Sequence, residues 1–249
     1  MFLFYMKKYI ISPVFLLSVM LLTASALIGA WPLDQQVIYL HQYSFYIGVE
    51  VYFMPVVTVL PVCFLQSEMQ CRHAELFYVE RTTRKRYLLS GIAGAALCGL
   101  LIMFFAFILF TISCFLLSNP SGISFDVSLN QYGYDNLSGF RLYLYSGLVY
   151  CLNGLIHPII AYTVLHLTLN AYLAVSMPFI LRTLISFTVQ HLEIPPLYLI
   201  DAGQMKLSSH MADHWPGHGI SYVFLYTGLV MALCYLINCR TMEKRYEGS

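Results

Sequence analysis

Long apolar stretches separated by short polar ones run the whole length of the chain. Six of them, approximately 9–30, 46–66, 87–118, 143–167, 171–192 and 219–238, each supply the roughly 20 apolar residues a helix needs to cross about 30 Å of hydrocarbon. The pattern predicts an all-α polytopic membrane protein with six transmembrane helices in a single domain over residues 1–249. From Leu142 to Leu181 there is no Asp, Glu, Lys or Arg. That run is too long for one span and divides at Leu169-Asn170. The opening run from Tyr9 to Ala30 follows Lys7 and Lys8, as a signal peptide would, but its length suits a first span better than a signal core.

Charge fixes the expected orientation. With the N-terminus inside, the inner segments hold Lys7, Lys8, Arg72, Arg81, Arg84, Lys85, Arg86, Arg240, Lys244 and Arg245. Only Arg141, Arg182 and Lys206 are left for the outer side or the membrane. Basic residues accumulate on the cytoplasmic side of membrane proteins, so both termini are expected there. The outer segment 119–141 has the Asn, Gly, Ser and Asp density of a loop. The second, 193–218, carries the apolar patch Leu197 to Ile200 and reads as a re-entrant extracellular segment before the sixth span. There is no internal repeat, and no hydrophilic stretch is long enough for a separate soluble core.

Composition narrows the function classes. The chain is 59% hydrophobic and 10% charged, against about 25% charged in soluble domains. Its net charge of +1 gives no electrostatic footprint for nucleic acid. Seven cysteines stand singly, mostly in apolar runs and without a CxxC, and read as small buried hydrophobes.

The charge that exists is concentrated in "CRHAELFYVERTTRKRYLLS", residues 71–90, which this topology puts in the cytoplasm between the second and third spans. Ser67-Glu68-Met69-Gln70 fits a capping box, so a short helix over Glu68 to Glu80 is expected. Met69, His73, Leu76 and Phe77 would share one face of it. Arg84, Lys85 and Arg86 follow as anchors at headgroup level. A helix that sets Leu76 and Phe77 among Arg72, Glu75, Glu80 and Arg81 has the character of a docking element for a cytoplasmic partner.

Two basic residues before the first span, six spans with both ends inside, and "HAELFYVERTTRKRYLLSGI" before the third resemble the permease subunits of bacterial ABC-2 type exporters. Where many members carry a glycine in that stretch, this chain has Phe77-Tyr78-Val79. The resemblance implies a coupling helix docking two cytoplasmic ATPase subunits through Arg72, Glu75, Leu76, Phe77, Glu80 and Arg81. It also implies a second permease subunit, identical or homologous, and a bacterial plasma-membrane location. Spans one, two and five would then line the route. ATP and Mg²⁺ would belong to the partner subunits, in keeping with the lack of a G-x-x-x-x-G-K-[ST] loop here. Peptides or other amphipathic molecules are the expected cargo. No cofactor of its own and no catalysis of its own are expected of this chain.

Charged and polar groups inside spans are expensive and mark function. Glu50, Asn153, His157 and Arg182 are the candidates for a translocation path. Arg182 also reads as a snorkelling or salt-bridged side chain. In "HMADHWPGH", His210 and His214 can share a helical face and His218 follows, so a metal site stands beside the reading as an ordinary polar loop. "LLSGIAGA" at 88–95 reads as small residues that let helices approach closely. The alternatives to a permease are a membrane-embedded enzyme, for which Glu50, Asn153, His157 and Arg182 are the only converging polar groups, and a sensor or accessory protein that uses the same cytoplasmic helix.

Overall fold

The computed structural model describes residues 2–30, 50–71, 83–117, 143–144, 147–148, 151–192 and 219–247. Among them every regular element is helical: α1 (Phe2–Ile11), α2 (Pro13–Gly29), α3 (Glu50–Val57), α4 (Leu60–Cys71), α5 (Arg84–Leu117), α6 (Ile156–Thr168), α7 (Ala171–Leu192) and α8 (Gly219–Glu247). Among the described residues three stretches are long and apolar enough to cross a membrane: α5, Cys151–Thr168 and Phe224–Glu243. α1 and α2 make a fourth if the bent pair is one span. The described residues are those of an all-helical membrane protein.

Helix breaks separate the observed elements from an array of straight spans, and each has a local cause. Pro13 has no N–H to give to Tyr9 and its ring opposes that carbonyl. The Tyr9 carbonyl instead accepts from Ser12 N at 3.2 Å, and Ser12 Oγ caps α2 by accepting from Val14 N at 3.2 Å. The chain turns 61° there, so the expected span 9–30 is divided at an elbow and its first residues belong to a separate helix that begins at Phe2. The expected second span is likewise broken, at Thr58-Val59, with Pro55 on one side and Pro61 on the other. The Met54 carbonyl remains satisfied by both Thr58 N, at 3.1 Å, and Thr58 Oγ1, at 2.7 Å. A third break, at Gly154-Leu155, lies one turn before Pro158 and is closed by Gly154 N donating to Cys151 O at 3.0 Å.

One expected boundary is corrected. Ser67 does not cap a new helix, because α4 runs through it from Leu60 to Cys71. From Val62 to Cys71 the sequence holds no Pro or Gly, so nothing interrupts the ladder where the capping-box pattern occurs. At Leu169-Asn170, by contrast, α6 ends and α7 begins. Leu169 takes the left-handed conformation, with φ 56°. Asn170 Oδ1 then accepts from Tyr172 N at 2.9 Å and Leu173 N at 3.3 Å, an N-cap for α7.

α5 is the centre of the bundle. At about 1.5 Å per residue its 34 residues extend some 50 Å, longer than an upright helix needs to cross the ~30 Å of a hydrocarbon core. α1, α2, α6 and α8 all pack on it. Between membrane helices the driving force is close van der Waals contact rather than water exclusion, and glycine provides it. A Cβ on Gly99 would strike the Gly154 carbonyl and come within 2.5 Å of Pro158 Cγ, and one on Gly154 would sit 2.5 Å from Met103 Cγ. α5 and the broken turn before α6 therefore cross backbone to backbone.

The helix ends gather at two levels. The start of α1, the end of α4, the start of α5 and the end of α6 meet at one end of the bundle. α8 descends to that same end, where Asn238 Nδ2 donates to Thr163 Oγ1 at 3.0 Å, about one turn from His166. Toward the opposite end Tyr143 hydrogen-bonds Thr111 and tilts on Phe107 with centroids 5.2 Å apart.

Candidate functional site

Four helices contribute to a buried polar cluster at that first end. Tyr5 and Tyr9 stand one turn apart on α1, Tyr162 and His166 one turn apart on α6, Gln66 on α4 and Tyr87 on α5. All six are at most 2% exposed. Gln66 Nε2 lies 3.2 Å from His166 Nε2 and 3.4 Å from Tyr87 Oη. The Gln66 amide nitrogen thus lies within hydrogen-bond reach of both the imidazole and the phenol. The His166 ring tilts on Tyr162 at 4.5 Å and meets Tyr87 edge-on at 6.3 Å. Tyr5 lies 6.2 Å from Tyr87 and stacks on Tyr9 at 6.0 Å.

Glycines on α5 make the cluster fit. A Cβ on Gly91 would come within 2.5 Å of Tyr162 Cζ, and one on Gly94 would be 3.0 Å from Tyr5 Cβ. The small-residue stretch 88–95 thus opens the helix surface to rings from both sides.

The cluster holds more hydrogen-bonding capacity than it uses. Among the described residues the Tyr9 hydroxyl and Gln66 Oε1 have no hydrogen-bond partner. An unmatched buried polar group costs about 1–3 kcal/mol, and Phe at position 9 would avoid that cost. Spare capacity of this kind suits an arrangement that exchanges one set of pairings for another.

Its position relates it to the charged stretch. Gln66 stands five residues before α4 ends at Cys71, and Tyr87 stands in the first turn of α5, which begins at Arg84. The cluster therefore ties together the two arms between which residues 72–82 run. The expected docking residues Arg72, Glu75, Leu76, Phe77, Glu80 and Arg81 lie outside the described residues.

The expected path residues fall elsewhere in the bundle. Asn153 and His157 lie on either side of the Gly154-Leu155 break and are 6% and 5% exposed. Among the described residues Asn153 Oδ1 and His157 Nδ1 have no hydrogen-bond partner. Arg182 is half-buried on α7, which packs on α6, the helix that carries His157. Glu50 opens α3, which packs on α7, but its side chain is outside the described set. His210, His214 and His218 are outside it too, and among the described residues no group of three or more His, Cys, Asp or Glu could hold a metal ion.

None of the six cluster residues stands out singly in the sequence, since each is one polar or aromatic position in an apolar run. The available signal was paired spacing. Tyr5/Tyr9 and Tyr162/His166 repeat the same i, i+4 interval on two helices, while Gln66 and Tyr87 bracket the charged stretch. Compared with known proteins, the chain matches no family model, no curated protein and no solved structure.

Proposed function

We propose that this chain is the membrane-spanning subunit of an ATP-driven exporter of the ABC-2 type. It works with two cytoplasmic ATPase subunits, which carry the ATP and Mg²⁺, and with a second permease subunit, identical or homologous. In this reading the chain has six spans with both ends in the cytoplasm: the α1/α2 pair, the broken α3/α4 pair, α5, the broken segment ending in α6, α7 and α8. The gathering of the start of α1 and the end of α8 at one end of the bundle is in keeping with it. So is the basic character of that end, where Lys7, Lys8, Arg84, Lys85 and Arg86 lie.

The observation that carries the reading is the Gln66, Tyr87, His166 junction between the two arms of the charged stretch. A motor bound to residues 72–81 would push on the end of α4 and the start of α5 together. The junction links those arms to α6, and through Tyr5 to α1, so the push reaches helices that make no contact with the motor. α6 in turn carries His157 and packs on α7, which carries Arg182. Separate binding and transport elements are thereby joined without an ATPase site in this chain.

The test is purification of the tagged chain expressed with its chromosomal neighbours. An ATP-binding subunit should accompany it. Leu76→Asp with Phe77→Asp should abolish that association while the chain still inserts in the membrane. Unaltered association would remove the 72–81 segment from the mechanism.

A further inference from the structure

The elbow between α1 and α2 leaves a wedge that α4 closes from the side, forming an open cavity of about 500 Å³. One part of its lining is cationic, with Lys7 and Lys8. Another is apolar, with Ile11, Phe64 and Leu65. Glu68 also lines it. Ile11 and Phe64 are 69% and 58% exposed, so the apolar wall is open to the surroundings, whereas Leu65 is buried as its floor. Lys8 Nζ lies 5.0 Å from the centroid of the Phe4 ring, which holds the ammonium at the groove.

We propose that this groove is a binding site for one anionic glycerophospholipid of the surrounding bilayer. A pocket of this size accommodates a small ligand. Two ammonium groups and one carboxylate leave a net single positive charge, which complements a phosphodiester. Glu68 can accept from a headgroup hydroxyl beyond the phosphate, and the Ile11, Phe64 and Leu65 wall receives the first carbons of an acyl chain. A free phosphate would use the lysines and leave that wall unfilled. The location fits as well, since α1 presents Phe2, Leu3, Ile10 and Ile11 together with Lys7 and Lys8, apolar and basic groups side by side as at the headgroup end of a span. The lipid would fill the elbow and hold α1 at its angle to α2, next to the buried Tyr5 and Tyr9. Such a site does not depend on whether an ATPase docks.

Native mass spectrometry of the purified full-length protein, delipidated and titrated with phosphatidylglycerol or phosphatidylcholine, tests it. One phosphatidylglycerol should be retained at least tenfold more tightly than phosphatidylcholine. A basic side chain near an anionic headgroup region is worth roughly fivefold in affinity. Lys7→Glu with Lys8→Glu should therefore weaken retention at least tenfold, and Lys7→Arg with Lys8→Arg should preserve it. Phe64→Ser or Lys8→Glu alone should weaken the lipid severalfold, and Arg240→Glu, the same charge change as Lys8→Glu but outside the groove, should leave it unchanged. A thermal midpoint within a few degrees of wild type confirms that each variant is folded. Equal retention by the double Glu variant, a loss in Arg240→Glu equal to that in Lys8→Glu, or no preference over phosphatidylcholine would each overturn the proposal. So would competition by glycerol phosphate as strong as that of the whole lipid, which would reduce the groove to an anion site.

Discussion

Tyr9 has its ring engaged and its hydroxyl unmatched, so the two parts of the side chain can be separated by substitution. Tyr9→Phe keeps the stacking on Tyr5 and removes a buried group that costs about 1–3 kcal/mol. The thermal midpoint in detergent should rise by a few degrees, whereas ATP hydrolysis by the assembled complex should lose some of its dependence on the permease. A fall in the midpoint would mean that the hydroxyl is satisfied and the cluster is a fixed structural tie. Arg182 is tested the same way at the other polar site. Arg182→Ala should leave assembly intact and lower ATP hydrolysis by the reconstituted complex severalfold, and unchanged hydrolysis would reduce Arg182 to a structural side chain. Asn153, His157 and Arg182 stood out because charge, His-Pro and Asn are conspicuous in apolar runs, but they lie outside the buried cluster. Tyr5, Tyr9, Gln66, Tyr87, Tyr162 and His166 did not stand out. A single tyrosine in a span reads as packing until the fold shows four helices sending polar groups to one point.

Elements were legible where a specific residue enforces them. The turn at Leu169-Asn170 followed from the length of an uncharged run, and Asn170 fixes it by capping α7. The elbow at Ser12-Pro13 divides a stretch whose hydropathy is continuous, because apolar content records membrane affinity while proline decides where the ladder stops. The capping-box pattern at Ser67 failed for the converse reason. A cap needs a helix to begin there, and α4 passes through without a breaker. Glycine adds a packing constraint that hydropathy cannot express. Gly99→Ala would force a methyl group against the Gly154 carbonyl and Pro158, and overpacking of this kind costs about 1–3 kcal/mol. A methyl group at Gly228 on α8 would meet nothing within 4 Å, so Gly228→Ala should be neutral or stabilising by up to ~1 kcal/mol through helix propensity. Paired thermal denaturation curves check the contrast, and equal effects would mean that the α5 crossing is not tight.

For the whole molecule, the all-helical membrane class was evident from composition and run length. How the helices meet was not, because apolar runs say nothing about which end of which helix shares a level. The observed gathering of α1, α4, α5, α6 and the end of α8 at one level gives the charged stretch a mechanical base. The proposal that residues 72–81 receive a cytoplasmic ATPase builds on that base. Site-specific photo-crosslinking from position 77 in native membranes addresses it without disrupting the assembly. With a photoreactive residue in place of Phe77, irradiation should yield an adduct with an ATP-binding subunit, and its yield should change when ATP is added. Adducts with lipid alone, or with a partner that binds no nucleotide, would contradict the account.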